Sequence, residues 1–375
     1  MMRSAIMLAG LLAAQACAAQ ELAPEKIGKT VLGDFERVYV ADVVLPHMVD
    51  GRVYVLDVDL NLKGMMESGF AGMMLAAPQR GQVYVPTSFY ERLTRGARTD
   101  VVQVFDAHTL TVTDEIPIAA ARAQALTYRN LFQASSDGTT LFIQDATPAT
   151  SIDVLDVASR RRFEVQNPGC YGIYPSLTNP LRFSTLCGGG TVGSYTINEA
   201  HDGAARKTSA KLFDATNDPW FTHAEHDVDS YLFVSYKGTI ARVSLEDETA
   251  KLLDSADVAA GAPGWAPGGF QPFAYDPKSG VAYVLMHGDA AEGSHKNPSA
   301  EIWSYDVKGK KLLARSPAAG LTSITISPSD PSALFAINPV ESKIQRFAVD
   351  PQTRRVAKTK EIKLGESAAL IEVSK

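Results

Sequence analysis

The sequence predicts an all-β chain, a seven-bladed β-propeller with about four antiparallel strands per blade. Three observations carry this. Seven segments repeat one pattern: an alternating strand, a polar turn and a second strand. An apolar strand precedes each repeat. Past the N-terminus no stretch places apolar residues at helical spacing, while 28 Gly and 20 Pro punctuate the chain with turns.

The repeats read VYVLDVDLNLKG from Val53, VVQVFDAHTLTVTDEI from Val101, SIDVLDVASRRRFEV from Ser151 and TVGSYTINEAHDG from Thr191. TIARVSLEDETAKLL from Thr239, AEIWSYDVKGKKLLA from Ala300 and KIQRFAVDPQTRRVA from Lys343 complete the set. Equivalent positions are Asp57, Asp106, Asp156, Ile197, Leu245, Asp306 and Val349, spaced by 49, 50, 41, 48, 61 and 43 residues. The preceding strands start at Arg37, Gln82, Thr140, Arg182, Tyr231, Val281 and Ala333. A period of 40–60 residues built from short strands is the length of a four-stranded blade. One twisted sheet cannot bury both its faces, so sheets pack radially about an axis and leave only short edges. An open sandwich array is the competing architecture, and seven units of one period favour closure. The longest spacing holds two Gly-rich insertions, 261–269 and 288–296, which are expected to make contacts.

The first twenty residues stand apart. Arg3 precedes an apolar run from Ala5 to Ala14, and Ala16, Ala18 and Ala19 follow. That is the layout of a secretory signal peptide, so residues 1–20 are expected to be removed and 21–375 to form a single domain in the periplasm. The run is too short to span a bilayer, and no other stretch approaches a membrane span. The chain carries 36 Lys and Arg against 42 Asp and Glu, for a net charge of −6 without basic runs. Nucleic acid is therefore excluded as a partner, because phosphate binding needs clustered cations.

With Cys17 inside the signal, Cys170 and Cys187 are left, and in an oxidising compartment they are expected to form a disulfide. No CxxC, CxxCH, HExxH, GxSxG or P-loop occurs. His223 and His226 lack a third metal partner and read as surface or structural. A hydrolase with a metal on the axis would need His or carboxylates recurring on the first strands, and the pattern shows none. The stretch 87–100, TSFYERLTRGARTD, is unusual because a plain hairpin would serve there. Its Arg92, Arg95 and Arg98, with Glu91 and Asp100, are expected to form either a salt-bridge network or a polar contact surface.

Several segments together resemble the heavy chain of the amine dehydrogenases that carry tryptophan tryptophylquinone. They are TSFYERLTRGARTDVVQVFDA (87–107), QDATPATSIDVLDV (144–157), GCYGIYP (169–175) with LCGGG (186–190), GWAPGGFQ (264–271) and HGDAAEGSHKNPSAEIW (287–303). ERLTRGARTDVV, ATPATSI and GSHKNPSAEIW look closer to the heavy chain of aromatic amine (aralkylamine) dehydrogenase than to the methylamine one. The resemblance implies a seven-bladed propeller in a periplasmic heterotetramer of two heavy and two light chains. The quinone sits on the light chain, so no cofactor, no metal and no catalytic residue is expected in this chain. The implied reaction converts a primary amine to aldehyde and ammonia, with electrons passed to a blue-copper protein of azurin or amicyanin type.

The resemblance also implies a heavy-chain phenylalanine at the substrate-channel mouth. Here the matching position is Leu45, which cannot stack on an aromatic amine and could equally be core. Cys170 and Cys187 match the family's bridge. Trp265, His295 and Lys296, with the arginines of 92–98 and Asp100, are candidate subunit contacts or structural groups. The rival function is a stand-alone periplasmic propeller that binds through its loops without catalysis.

Overall fold

In a computed structural model, residues 30–124 and 127–374 are described. Leu32–Lys375 cluster as one compact unit. The signal-peptide reading of 1–20 lies outside the described residues.

Seven antiparallel sheets follow one another along the chain. From the inner strand outward, blade 2 is Leu75–Ala77, Gln82–Arg92, Arg95–Asp106 and Val112–Ile118. Blade 3 is Phe132–Ala134, Thr140–Asp145, Ser151–Asp156 and Arg162–Gln166. Blade 4 is Cys170–Pro175, Arg182–Cys187, Thr191–Ile197 and Ala204–Thr208. Blade 5 is Trp220–His226, Tyr231–Ser235, Thr239–Ser244 and Lys251–Asp257. Blade 6 has a split inner strand, Ala266–Pro267 and Phe273–Asp276, before Val281–His287, Glu301–Asp306 and Lys311–Pro317. Blade 7 is Ser323–Ile326, Ala333–Asn338, Lys343–Val349 and Val356–Lys363. Blade 1 takes its inner strand, Ala368–Ser374, from the C-terminus; it pairs with Arg37–Asp42, and Gly51–Asp57 and Leu62–Gly69 follow. Both chain ends thus share one sheet, and this pairing closes the ring.

The seven repeats of the sequence are the third and fourth strands of the blades, and the preceding strands are the second. Second strands such as Arg37–Asp42, Thr140–Asp145 and Val281–His287 are buried at every position because a neighbouring blade covers each face. Outer strands alternate, as in Val112–Ile118, because one edge meets water. Apolar clusters wedge between successive sheets: Leu285 of blade 6 packs with Leu334 of blade 7, and Phe335 of blade 7 with Val40 of blade 1. Truncating a fully buried side chain such as Phe335 to Ala should cost about 3–5 kcal/mol.

The recurring aspartates have a local cause. Asp106 Oδ1 accepts the backbone N–H groups of His108 and Thr109 at 3.0 and 2.7 Å, and these bonds hold its carboxyl below the usual range. Asp57, Asp156 and Asp306 cap the same turn between third and fourth strands. In blade 7 the role falls to Asp350, one residue beyond the position aligned from sequence.

Candidate functional site

An up-and-down meander sends its connections alternately to two faces. Links from second to third strands, and links on to the next blade, share one face, called upper here. Links from first to second and from third to fourth strands share the lower face. Leu45, the tip of 87–100, the Cys170–Cys187 pair, Trp265, His295 and Lys296 all stand at the upper face.

Leu45 begins the short turn Leu45–Asp50 and is 64% exposed, so it is not core. Its N–H donates to Ser367 Oγ at 3.2 Å. Asp42, itself buried, accepts the N–H groups of Val44, Glu366 and Ser367 at 3.0, 2.7 and 2.9 Å. That carboxylate ties the Leu45 loop to the link that enters the closing strand. Val44 is held at φ 46°, a left-handed conformation costly for a β-branched residue.

The 87–100 stretch is not a linker added to a hairpin. Strands Gln82–Arg92 and Arg95–Asp106 run on as one long hairpin, paired from Gln82↔Asp106 to Arg92↔Arg95. Its base and tip differ. At the base Arg98 donates to Asp100 through Nε at 2.7 Å and Nη2 at 2.5 Å, and to Arg122 O at 2.9 Å. Arg122, fully buried, donates to Ala71 O at 2.9 Å, Phe70 O at 2.8 Å and Ser88 Oγ at 3.1 Å. Burial pulls its guanidinium down to about 10, still charged at neutral pH. Asp145, bridged to Arg122 through the backbone, is pushed up to about 7 by burial and by Asp153 and Glu164. Arg98 and Asp100 therefore belong to a structural network that locks blade 2 to blade 3. Arg92 and Arg95 are exposed at the tip, with Glu91 at 4.0 Å from Arg92.

Cys170 and Cys187 face each other on paired strands and form the disulfide. The Arg206 guanidinium lies 3.2 Å from Cys170 Sγ. Gly190 turns the chain beside the bridge at φ 77°; a Cβ there would strike Phe213 O at 2.1 Å. Trp265 meets Trp303 at 5.3 Å between ring centres, and the Arg315 guanidinium covers both at 4.4 and 4.5 Å. His295 stacks on Tyr236 at 4.1 Å, and burial, then Lys296, lowers its pKa. Lys296 is exposed. The upper face also bears exposed apolar tips on three adjacent blades: Val340 at 77%, Leu45, and Phe89 and Leu93 at 40% and 76%. On the axis, Tyr128 meets Phe270 at 6.2 Å.

Pattern reading missed the inner strands and what they carry. His223 pairs not with His226 but with Glu225, two residues on, because a strand returns to one face every second residue. His223 Nε2 lies 3.1 Å from Glu225 Oε1 and 2.9 Å from Phe273 O. Arg129, from blade 3, reaches Glu225 of blade 5 at 3.8 Å and Glu372 of blade 1 at 4.0 Å. Burial works against ionising Glu225, but His223 and Arg129 outweigh it and hold its carboxyl below the usual range. For Glu372 burial wins over Arg129, and the pKa is raised. The first strands of blades 5 and 1 thus carry His223, Glu225 and Glu372, without the recurrence around the ring that a metal on the axis would need. Among the described residues, no group of three or more His, Cys, Asp or Glu is placed to hold a metal ion.

Comparison with known proteins adds to this geometry. The propeller resembles the periplasmic gluconolactonase of Pseudomonas aeruginosa, with a TM-score of 0.66 at 16% identity over 91% of this chain and 99% of that one. It also resembles a putative 6-phosphogluconolactonase of Bacteroides uniformis, with a TM-score of 0.63 at 10% identity over 91% and 100%. At such identities the likeness is one of fold. Sequence relatives are more specific. The methylamine dehydrogenase heavy chain of Methylophilus methylotrophus is 24% identical over 358 residues, covering 89% of this chain and 86% of that one. The corresponding chain of Methylorubrum extorquens is 27% identical over 312 residues, covering 80% and 74%. The family model for methylamine dehydrogenase heavy chains matches residues 34–371, from the strand that opens blade 1 to the strand that closes it. The chain belongs to the methylamine dehydrogenase heavy chain family.

Proposed function

We propose that this chain is the heavy subunit of an exported quinoprotein amine dehydrogenase that oxidises aromatic primary amines to aldehyde and ammonia. The observation that carries the reading is the family match across every blade, 34–371. The partner is a light chain, two of each making a heterotetramer in the periplasm. Its tryptophan tryptophylquinone takes the electrons of the amine and hands them to a blue-copper protein. This chain's part is to seat the light chain and shape the entrance. The apolar tips on blades 7, 1 and 2 support a protein contact on the upper face, since neighbouring exposed apolar groups mark interaction surfaces. Leu45 lies within that arc, held by the Asp42 bonds, and forms the channel mouth.

The test is a pull-down of the tagged chain from the periplasm of its own host, with quinone redox staining of a denaturing gel and amine-dependent dye reduction. A small stained partner establishes the subunit reading; a lone unstained chain overturns it and leaves a stand-alone binding propeller. Leu45→Phe then tests the entrance. Restoring an aromatic surface should lower KM for an aromatic amine by up to about tenfold, with little change for methylamine. Equal effects on both amines would remove Leu45 from the mouth.

A further inference from the structure

Two pockets open on the lower face. One, of about 400 Å³, lies at the axis and is lined by Arg129, whose charge Glu225 and Glu372 balance at 3.8 and 4.0 Å. The other, of about 360 Å³, lies between blades 1 and 2. Arg37 and Tyr39 line it from the second strand of blade 1, and Pro78, Gly81 and His108 from the lower-face links of blade 2. This second pocket therefore stands on the face opposite Leu45, the hairpin tip and His295. Its volume falls in the lower part of the range for small-molecule sites.

Arg37 carries a charge that nothing balances at close range. It is 6% exposed, yet among the described residues it forms no ion pair. Its Nη1 and Nη2 donate to the carbonyls of Phe35 and Gly33, both at 3.1 Å, and its Nε has no partner. The Phe35 ring lies 4.7 Å from the guanidinium and steadies it. One N–H on each terminal nitrogen is left over. A buried cation in this state is costly until an anion meets it.

Tyr39 stands two residues along the same strand, so its side chain shares the face of Arg37. It too is buried, and burial pushes its hydroxyl up to about 12, which keeps it protonated and a donor. Among the described residues that hydroxyl has no hydrogen-bond partner. Asp34 also lines the pocket, but its carboxylate is almost wholly exposed, 3.8 Å from His108 Nδ1, and water screens its charge.

The free donors call for an acceptor, and the unbalanced cation calls for a negative one. The rest of the wall is apolar, built from Phe35, Ala76, Pro78 and Ala107. A carboxylate accepts from a guanidinium and a phenol at once, and a flat apolar body suits the remaining wall. We propose that the pocket between blades 1 and 2 binds a small aromatic monocarboxylate, its carboxylate held by Arg37 and Tyr39 and its ring against Phe35 and Pro78. The site is separate from the amine entrance.

A saturation-transfer NMR titration of the purified full chain, with any subunit that co-purifies, tests this. The probe is benzoate, and benzamide is its neutral counterpart of the same shape. Benzoate should bind at least about tenfold more tightly than benzamide, the gain of charge-assisted hydrogen bonds. Arg37→Met should remove that difference. Tyr39→Phe should weaken benzoate about tenfold, the loss of one hydrogen bond to a charged acceptor. It should leave the urea midpoint unchanged, since a hydroxyl without a partner does not hold the fold. If Arg37→Met fails to fold, Tyr39→Phe decides alone. The proposal is overturned by no transfer to benzoate, by equal affinity for benzamide, or by a preference for benzoate that survives in a folded Arg37→Met. Undiminished benzoate binding or a fallen midpoint in Tyr39→Phe overturns it as well.

Discussion

Arg122 and Arg129 lie in the same link between blades 2 and 3, and they have been built in for different ends. Arg122 spends its donors on Ala71 O, Phe70 O and Ser88 Oγ and sits beside the Arg98–Asp100 pair. Arg129 is neutralised from a distance and faces a pocket. A buried charge with its bonds made is a structural clamp; one with its charge balanced but its donors free is poised for something else. The same chemical group thus separates what holds the blades together from what the axis offers.

The largest effect should come from the clamp. Arg122→Met leaves two backbone carbonyls and Ser88 without a donor and Asp100 with one cation fewer. The expected loss is about 3–5 kcal/mol, read from the urea midpoint. A loss below about 1 kcal/mol would erase the contrast with Arg129, since exposed pairs lose that much.

Arg129→Met should cost less, about 1–2 kcal/mol at pH 7, because no hydrogen bond is lost and the pocket admits solvent. Its pH dependence carries the sign. Glu372 already binds its proton more tightly in the folded chain, and removing Arg129 strengthens that for both carboxylates. A folded state that binds more protons loses stability as pH rises through that window. The deficit should therefore vanish near pH 4 and grow toward pH 8 in parallel denaturation series. A deficit flat in pH would mean that Arg129 acts through packing alone.

Asp145, on the edge of the Arg122 cluster, tests the same linkage from the other side. Its folded pKa of about 7 lies above the ordinary carboxylate value, so its contribution weakens the fold as pH rises from about 4 to about 7. Asp145→Asn removes that proton linkage. It should stabilise by about 1–2 kcal/mol at pH 8 after allowance for solvent screening, and leave stability unchanged near pH 4. Destabilisation at pH 8 would show that Asp145 is held by a partner its carboxylate needs.

These two clusters also mark where the sequence could be read. Second, third and fourth strands were legible because each is long enough for apolar alternation and the third ends in a capping Asp in four of the seven blades. Inner strands such as Leu75–Ala77, Phe132–Ala134 and Ala266–Pro267 have two or three residues, too few for any period to show. Blade 1 borrows its inner strand from the other end of the chain, which no local pattern reveals. Arg129 sits beside one of these short strands, while Glu225 and Glu372 lie on seven-residue inner strands of two other blades, and the three meet only when the ring closes. Arg98 and Asp100 were legible as a pair because they lie two apart on one strand face; Arg122, which completes the network, comes from a link without periodicity. The local signal that remained was His223-x-Glu225, two residues apart at strand spacing.

The smallest stability effect is expected at the tip of the hairpin whose base is clamped by Arg98. Leu93 is 76% exposed and buries little on folding, so Leu93→Ser should shift stability by no more than about 0.5 kcal/mol. Arg92 and Arg95 beside it should behave alike, as exposed charges contribute little. What the tip changes should appear elsewhere, in the amount of small subunit retained on the tagged chain during washing. A Leu93→Ser variant that folds normally yet retains less partner separates tip from base within one hairpin: the base exists for the blade and the tip for the neighbour. A stability loss rivalling that of the Arg122 variant would make the tip part of the core, and full retention with normal stability would move the contact to the Leu45 and Val340 side of the arc.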